Sequence, residues 1–546
     1  MTLNSSDNSN PSTADSYNNG LIGRIVENWL SSASERGYQI AFCQLLAAEG
    51  EELLYIARHG PFEKGKDVVT RAPDRSIRAY QLKGGDIRLA DWREIDKQIN
   101  NLVELPVVLP QCPSNSPHTP FFVTNGRVDD VVLDYINAAN TGWQGRSFPH
   151  PLEVIQKPQL VHRFIAAHGA YLPQEASDFQ QFLTLLLSEG TAPLDKAAFS
   201  RFLESVIAFA DGTTSKNVSR SLSSAVLLTS YILGSAEKCS NHWTLFEGWT
   251  VAASYILAAA TKFSLAQELW QPSFDLAMLG ANRALDDIVG ECKGREHFVE
   301  GVPMVDGFFY GSRQLILAGL LSAWALRRRY CALEVDDQVQ KLIVARIRES
   351  FIWGESAAPF ILLTALELEQ QCKQPSAERL VFDYLQLLLL FHADGSAGLP
   401  DSFTSTEDSI KFMHHIGEQD VESFRGFSYT CQVAVDYLAR HWLRRTLSGL
   451  WDGITRLSLD SSVPQLPWEW FFWRSNSAVL ESSTAGQPQS WSTLVRDAEN
   501  RDTSALPPLL VNHPVFAMFF LLVFPHRLTP ATFASIDGPL LATEDR

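Results

Sequence analysis

Between residues 20 and 170 the spacing of apolar positions changes period several times. Apolar residues recur at helical intervals from Leu21 to Ser32 and from Tyr38 to Ala48. They then gather in short runs, "ELLYIAR", "KDVVTR" and "SIRAYQLKG", rich in β-branched and aromatic residues and parted by Gly or Pro-Asp. Such runs read as strands. Helical spacing returns in "LADWREIDKQINNLVEL", where Leu89, Trp92, Ile95, Ile99 and Leu102 fall on one face, and "TPFFVTNG" reads as a fourth strand. A helix from Val128 and a strand over residues 151–155 complete an order αβββαβαβ, which predicts a mixed sheet covered by helices.

Beyond about residue 175 the pattern is helical almost throughout, from "DFQQFLTLLLSEG" to "TCQVAVDYLARHWLRRTLSGLWDGI", with wide apolar stripes and no fixed-period repeat. The expected architecture is therefore a polar, disordered tail (1–19), an α/β domain (20–170) and a large all-α region (175–546). That region has candidate internal breaks near 395–425 or 460–490. The segment "PQLPWEWFFWRSNSAVLESSTAGQPQSWSTLV" interrupts the helices with Pro, Gly, Ser and Trp468, Trp470, Trp473 and Trp491, and reads as a loop-rich cap over an aromatic core.

Composition adds limits. The longest apolar runs fall short of the roughly 20 residues that span a bilayer, and the polar start has no secretion-signal pattern, so a soluble, cytoplasmic protein without a membrane partner is expected. Seven cysteines without a CxxC pair suggest neither a disulfide framework nor a zinc knuckle. The chain has no GxxxxGK[ST], GxGxxG, GxSxG or HExxH phrase, which excludes the usual nucleotide, serine-hydrolase and zinc-protease signatures. His414 and His415 are adjacent and would diverge on a helix; His59 reads as a structural turn residue. The net charge of −17 is unevenly spread: residues 1–170 hold 16 Lys and Arg against 19 Asp and Glu, the rest 29 against 43. Between Arg58 and Lys97 the sign reverses, ten basic against seven acidic. Within that weak patch Lys66, Arg78 and Arg88 are the candidate phosphate contacts. The acidic remainder is expected to weaken nucleic-acid binding, so that residues 1–170 alone would bind duplex more tightly than the full chain.

The chemistry concentrates in "KDVVTR" and "YQLKGG". Phosphodiester hydrolysis calls for a divalent metal held by oxygen ligands, with a cation near the developing charge. Asp67 at the head of one strand, and Gln81 and Lys83 at the tail of the next, supply these if the strands pair in suitable register. Side chains alternate, so 81 and 83 share a face. Asp67 faces Gln81 only if an odd number of residues, or a bulge, joins the strands.

This pattern, an Asp followed on the next strand by (Asp/Glu/Gln)-x-Lys after a helix, resembles the PD-(D/E)xK restriction-endonuclease-like superfamily, and the Gln form resembles its Mrr-type branch. "FEKGKDVV" offers Glu63, Gly65 and Asp67, and "YQLKGG" offers Gln81 and Lys83. The resemblance implies a restriction-endonuclease-like mixed sheet over roughly residues 20–170. It implies Mg²⁺ on Asp67 and the Leu82 carbonyl, Gln81 in the second ligand position, and Lys83 orienting water or stabilising charge. Where the family usually carries a Glu on the first helix, this chain has Gln39, so Glu63 or Glu35 is expected as a further carboxylate. The implied activity is a Mg²⁺-dependent endodeoxyribonuclease acting in defence against foreign DNA, its helical region sensing a partner protein, oligomerising or restraining the nuclease. An RNase, a nuclease fold that binds without cutting, and a helical interaction scaffold are the alternatives. Asp67→Ala and Lys83→Ala are both expected to abolish cleavage and leave folding intact, because neither residue belongs to an apolar core pattern.

Overall fold

The computed structural model describes residues 13–57, 65–112, 117–146, 148–168, 176–209, 215–294, 307–393, 396–413, 424–441, 443–475, 477–484 and 490–544. His59, Glu63, His414 and His415 lie outside the described residues. Two compact units form: Met1–Gly248 with Leu265–Gly280, and Trp249–Ser264 with Ala281–Arg546. No described helix is long and apolar enough to cross a membrane.

In the first unit, α1 (Thr13–Ser32) and α2 (Glu35–Ala48) precede β1 (Glu52–Ile56), β2 (Val68–Arg71) and β3 (Ile77–Lys83). Next come α3 (Leu89–Glu104), β4 (His118–Thr124), α4 (Asp130–Gly145), β5 (Glu153–Ile155) and α5 (Lys157–His168). The alternation of patterns places these elements within a few residues of their ends. The exception is α1, which begins at Thr13 in a polar stretch expected to be disordered; a nucleated helix extends through poor helix formers because each added residue brings a hydrogen bond.

The sheet runs β1-β2-β3-β4-β5, a mixed arrangement. The first three strands form an antiparallel meander, and β4 and β5 add in parallel. On one face Val69, Ala79 and Phe122 join a core with Trp92, Ile95 and Ile99 of α3 and Val132 and Ile136 of α4. On the other, Tyr80 stacks on Phe121 at 4.9 Å and meets Phe42 of α2 edge-on at 5.4 Å. Each fully buried side chain of this size contributes about 1.5–3 kcal/mol, against about 0–1 kcal/mol for an exposed ion pair, so apolar packing fixes the helices on the sheet. Strand content ends near residue 155, but compactness draws in four more helices, α6 (Ala176–Leu186), α7 (Lys196–Ile207), α8 (Ser215–Ile232) and α9 (Gly234–Lys238). Trp29 of α1 lies 4.4 Å from Tyr231 of α8, ring centre to ring centre, and Ser34 Oγ donates to Glu237 Oε1 at 3.2 Å.

The second unit is mainly helical. Its helices Gly307–Tyr330 and Ala358–Gln370 run parallel. A Cβ on Gly319 would lie 2.7 Å from Phe360 Cδ1, Ser322 Oγ is 3.3 Å from Thr364 Oγ1, and Arg329 forks onto Glu367 at 2.8 and 2.9 Å. The expectation of an all-α region needs correction. A second sheet joins β6 (Phe427–Ser428), β7 (Ser458–Pro464) and β8 (Ala478–Thr484), β6 parallel and β8 antiparallel to β7. Serines hide these strands from an apolar-periodicity reading: β7 is "SLDSSVP", and β8, "AVLESST", is exposed over most of its length. Between them Trp470, Phe471 and Phe472 are buried, as an aromatic core requires.

Candidate functional site

The register of β2 and β3 sets Val68 opposite Tyr80 and Arg71 opposite Ile77, with the five residues 72–76 between the strands. The connection is odd in number, the condition under which Asp67 faces Gln81. The register ends at the Val68–Tyr80 pair; beyond it the Asp67 N–H donates to the same Tyr80 O at 2.8 Å. Gln81 Nε2 and the Leu82 N–H both donate to Asp67 Oδ2, each at 2.6 Å. Asp67 is 5% exposed and Gln81 3%. With its Nε2 turned to Asp67, and 3.5 Å from the Leu82 carbonyl, Gln81 leaves Oε1 buried without a hydrogen-bond partner. A buried acceptor in that state costs about 1–3 kcal/mol until a donor or a cation meets it.

Lys83 closes β3 on the same face, and its partner is Glu35: Nζ lies 3.3 Å from Glu35 Oε2, the two side chains 19% and 30% exposed. Glu35 occupies the first turn of α2, which Ser34 caps by accepting the Gly37 N–H at 2.9 Å. Positions 35, 38 and 39 lie on one helix face, and all three touch the strand ends. Tyr38, fully buried, donates its hydroxyl to Lys83 O at 2.9 Å, and Gln39 Nε2 donates to Asp67 O at 3.4 Å. Burial, then the charges of Glu35 and Asp67, hold the Tyr38 phenol well above its ordinary pKa, so it stays a donor. Gly84 keeps this approach uncrowded: a Cβ there would sit 3.2 Å from Glu35 N, a tight contact.

Asn125, at the end of β4, ties these pieces together. Its Oδ1 accepts the Gly85 N–H at 2.7 Å, while Nδ2 donates to Leu30 O at 2.7 Å and Ala33 O at 2.8 Å. One buried amide thus joins the turn after Lys83 to the turn before Glu35.

The structure brings Asp67 and Gln81 into contact and Glu35 onto Lys83, whereas the candidate phosphate contacts separate. Lys66 is buried and donates to Asn101 O at 3.1 Å. Arg78 pairs with the buried Glu51 at 2.6 Å, whose carboxylate also accepts the Tyr80 and Thr70 hydroxyls. Both cations serve the fold, and Arg88 is the exposed one of the three. Among the described residues no group of three or more His, Cys, Asp and Glu side chains could hold a metal ion.

Tyr38, Asn125 and Glu51 escape sequence reasoning. Asn125 carries a faint signal, a polar amide before Gly at the end of an apolar strand. Tyr38 and Glu51 carry none that separates them from ordinary helix and loop residues. Compared with protein-family models, curated proteins and solved structures, the chain matches none.

Proposed function

We propose that the first unit is a metal-dependent nuclease module of the PD-(D/E)xK, Mrr-type kind, cleaving DNA phosphodiesters in defence against foreign DNA, with the second unit sensing, oligomerising or restraining it. One observation carries the reading: a strand-end carboxylate, Asp67, hydrogen-bonded to Gln81 of the next strand, with Lys83 two residues on. The donors suit a hard divalent cation in kind, since Asp67, Gln81 Oε1 and the Leu82 carbonyl are all oxygens, and the partnerless Gln81 Oε1 calls for a positive neighbour. Mg²⁺, when bound, lowers the pKa of a water and neutralises developing charge. The chain's own residues do the rest. Asp67 and Gln81 hold each other in place, Lys83 supplies an ammonium to an anionic phosphate, and Glu35 orients that ammonium from the capped end of α2.

A second reading, a nuclease fold that binds nucleic acid without cutting, is favoured by the charge of the donor set. Only Asp67 among the three is anionic, and Glu35 is engaged with Lys83. The deciding experiment incubates the full-length protein with supercoiled plasmid, single-stranded DNA and RNA, in Mg²⁺ or EDTA. Mg²⁺-dependent nicking of plasmid, lost in Lys83→Ala and Asp67→Asn, is expected. Cleavage of RNA alone would replace DNA as substrate, and binding without cleavage of any arm would establish the second reading.

A further inference from the structure

Helix α9 lies far along the chain from the strands that carry Asp67 and Lys83, yet it touches the turn that bears Glu35. Ser34 has one hydroxyl proton and two lone pairs to place. Its Oγ donates to Glu237 Oε1 of α9 at 3.2 Å and accepts the Gly37 N–H at 2.9 Å. Glu237 also packs on that turn, since a Cβ on Gly37 would lie 3.4 Å from Glu237 Cγ. The next residue, Glu35, opens α2 and sets Oε2 3.3 Å from Lys83 Nζ. Three consecutive links therefore join α9 to the ammonium: Glu237 to Ser34, Ser34 to the first turn of α2, and Glu35 to Lys83. α9 is itself firmly seated. A Cβ on Gly190 would lie 2.2 Å from Ser235 O, Asn241 Nδ2 donates to Gly190 O at 3.0 Å, and Trp29 lies 4.4 Å from Tyr231, ring centre to ring centre, just before α9.

We propose that Glu237 is a positioning residue for Lys83, acting through the Ser34 cap and Glu35, so that the helices after the sheet help to set the site. Its catalytic consequence rests on the nuclease reading; its hold on Lys83 rests on the contacts alone. Two effects act on the turn. A hydroxyl whose proton is committed to a carboxylate is polarised and becomes a better acceptor for the Gly37 N–H. A carboxylate beside a helix N-terminus also meets the positive end of the helix dipole. Both favour the closed first turn of α2, and Glu35 is the first residue of that turn. Removing the Glu237 carboxylate weakens the cap, the turn frays, and Glu35 leaves Lys83 more often. The ammonium then loses its fixed direction while Asp67 and Gln81, held by each other at 2.6 Å, keep theirs.

The test uses the full-length protein with two readouts. The first labels amines with trinitrobenzenesulfonate and follows the Lys83 peptide by mass spectrometry, with the exposed Lys341 of the second unit as reference. A lysine held against a carboxylate is shielded, so Glu237→Ala should speed Lys83 labelling by about three- to tenfold, the worth of one hydrogen bond, and leave Lys341 unchanged. Glu237→Gln keeps an acceptor for Ser34 and should restore most of the shielding. Glu35→Ala with Glu237→Ala should label Lys83 no faster than Glu35→Ala alone, because the two act in series. The second readout is Mg²⁺-dependent plasmid nicking, in which Glu237→Ala should lower kcat by a similar factor at unchanged KM. Equal Lys83 labelling in wild type and Glu237→Ala, or effects of the two substitutions that add, would overturn the proposal. So would faster labelling with an unaltered nicking kcat. A wild type that labels as expected and nicks no plasmid would strike the nuclease reading and leave the hold of α9 on Lys83 standing.

Discussion

Truncating Asp67 tests the site and the fold together. Asp67→Ala removes the shared acceptor of two buried donors, the Leu82 N–H and Gln81 Nε2, both at 2.6 Å. Each buried donor left unpaired costs about 1–3 kcal/mol, so loss of the acceptor shared by two should lower the unfolding free energy by about 2–6 kcal/mol. Asp67→Asn keeps an oxygen and the volume and weakens charge-assisted bonds to neutral ones, a loss of about 1–2 kcal/mol. Lys83→Ala breaks one partly exposed pair at 3.3 Å and should cost no more than about 1 kcal/mol. The sequence expectation that both alanine variants leave folding intact is therefore kept as a prediction for Lys83 and replaced for Asp67, whose burial no pattern of apolar residues announced. Loss of cleavage in Asp67→Ala alone would mix chemistry with folding; Asp67→Asn and Lys83→Ala separate them. Urea unfolding of the full-length variants, compared by midpoint at constant m-value, measures the order. An Asp67→Ala protein within about 0.5 kcal/mol of the wild type would refute the two-donor arrangement.

His118 Nε2 donates to Leu102 O at 2.7 Å and burial depresses its pKa to about 4. The folded state then binds fewer protons than the unfolded one, so its contribution is complete above about pH 6.5 and is lost, by about 3 kcal/mol, as the pH falls through 4; unfolding scans against pH should show a slope that His118→Gln flattens. Asn125→Ala strips three hydrogen bonds and should lower stability by about 2–4 kcal/mol and slow any cleavage, whereas a variant as stable as the wild type would remove Asn125 from its joining role. On the nucleic-acid side, Arg88→Ala should weaken duplex binding and reduce the salt slope by about 1, while Arg78→Ala, which loses its Glu51 pair, should change stability alone; fluorescence anisotropy at two salt concentrations checks both.

The sheet was legible because its information is periodic. "IRAYQLK" and "FFVT" are β-branched and aromatic runs, and α3 repeats its apolar residues at helical spacing, so type and order follow from solvent exclusion alone. The contact of Asp67 with Gln81 was legible only as a condition on loop length: residues 72–76 are odd in number, and the two side chains meet although the register stops at Val68 and Tyr80. What stayed hidden depends on contacts distant in sequence. Lys66 and Arg78 look like surface cations until Asn101 O and Glu51 are brought to them. The division of the acidic remainder at residue 170 follows charge, but compactness keeps α6 to α9 with the sheet, so residues 1–170 are not a unit on which to test restraint by charge. β7 and β8 were hidden by composition, since a serine-rich strand lacks the apolar alternation that betrays a half-buried one.

The tie made by Asn125 also sets an order of events during synthesis. β2 and β3 are joined by five residues and close on each other at small entropic cost, so Asp67 and Gln81 meet early. The Glu35–Lys83 pair closes a separation of 48 residues, and the bond from Asn125 to Leu30 one of 95. Each doubling of a loop adds only about 0.6 kcal/mol, but a contact cannot form before both halves have left the ribosome. A nascent chain ending before β4 therefore carries the acid and the amide without the lock that sets the ammonium beside them. The last part of the constellation to become rigid is its cation, and that happens only once the strand bearing Asn125 has joined the sheet.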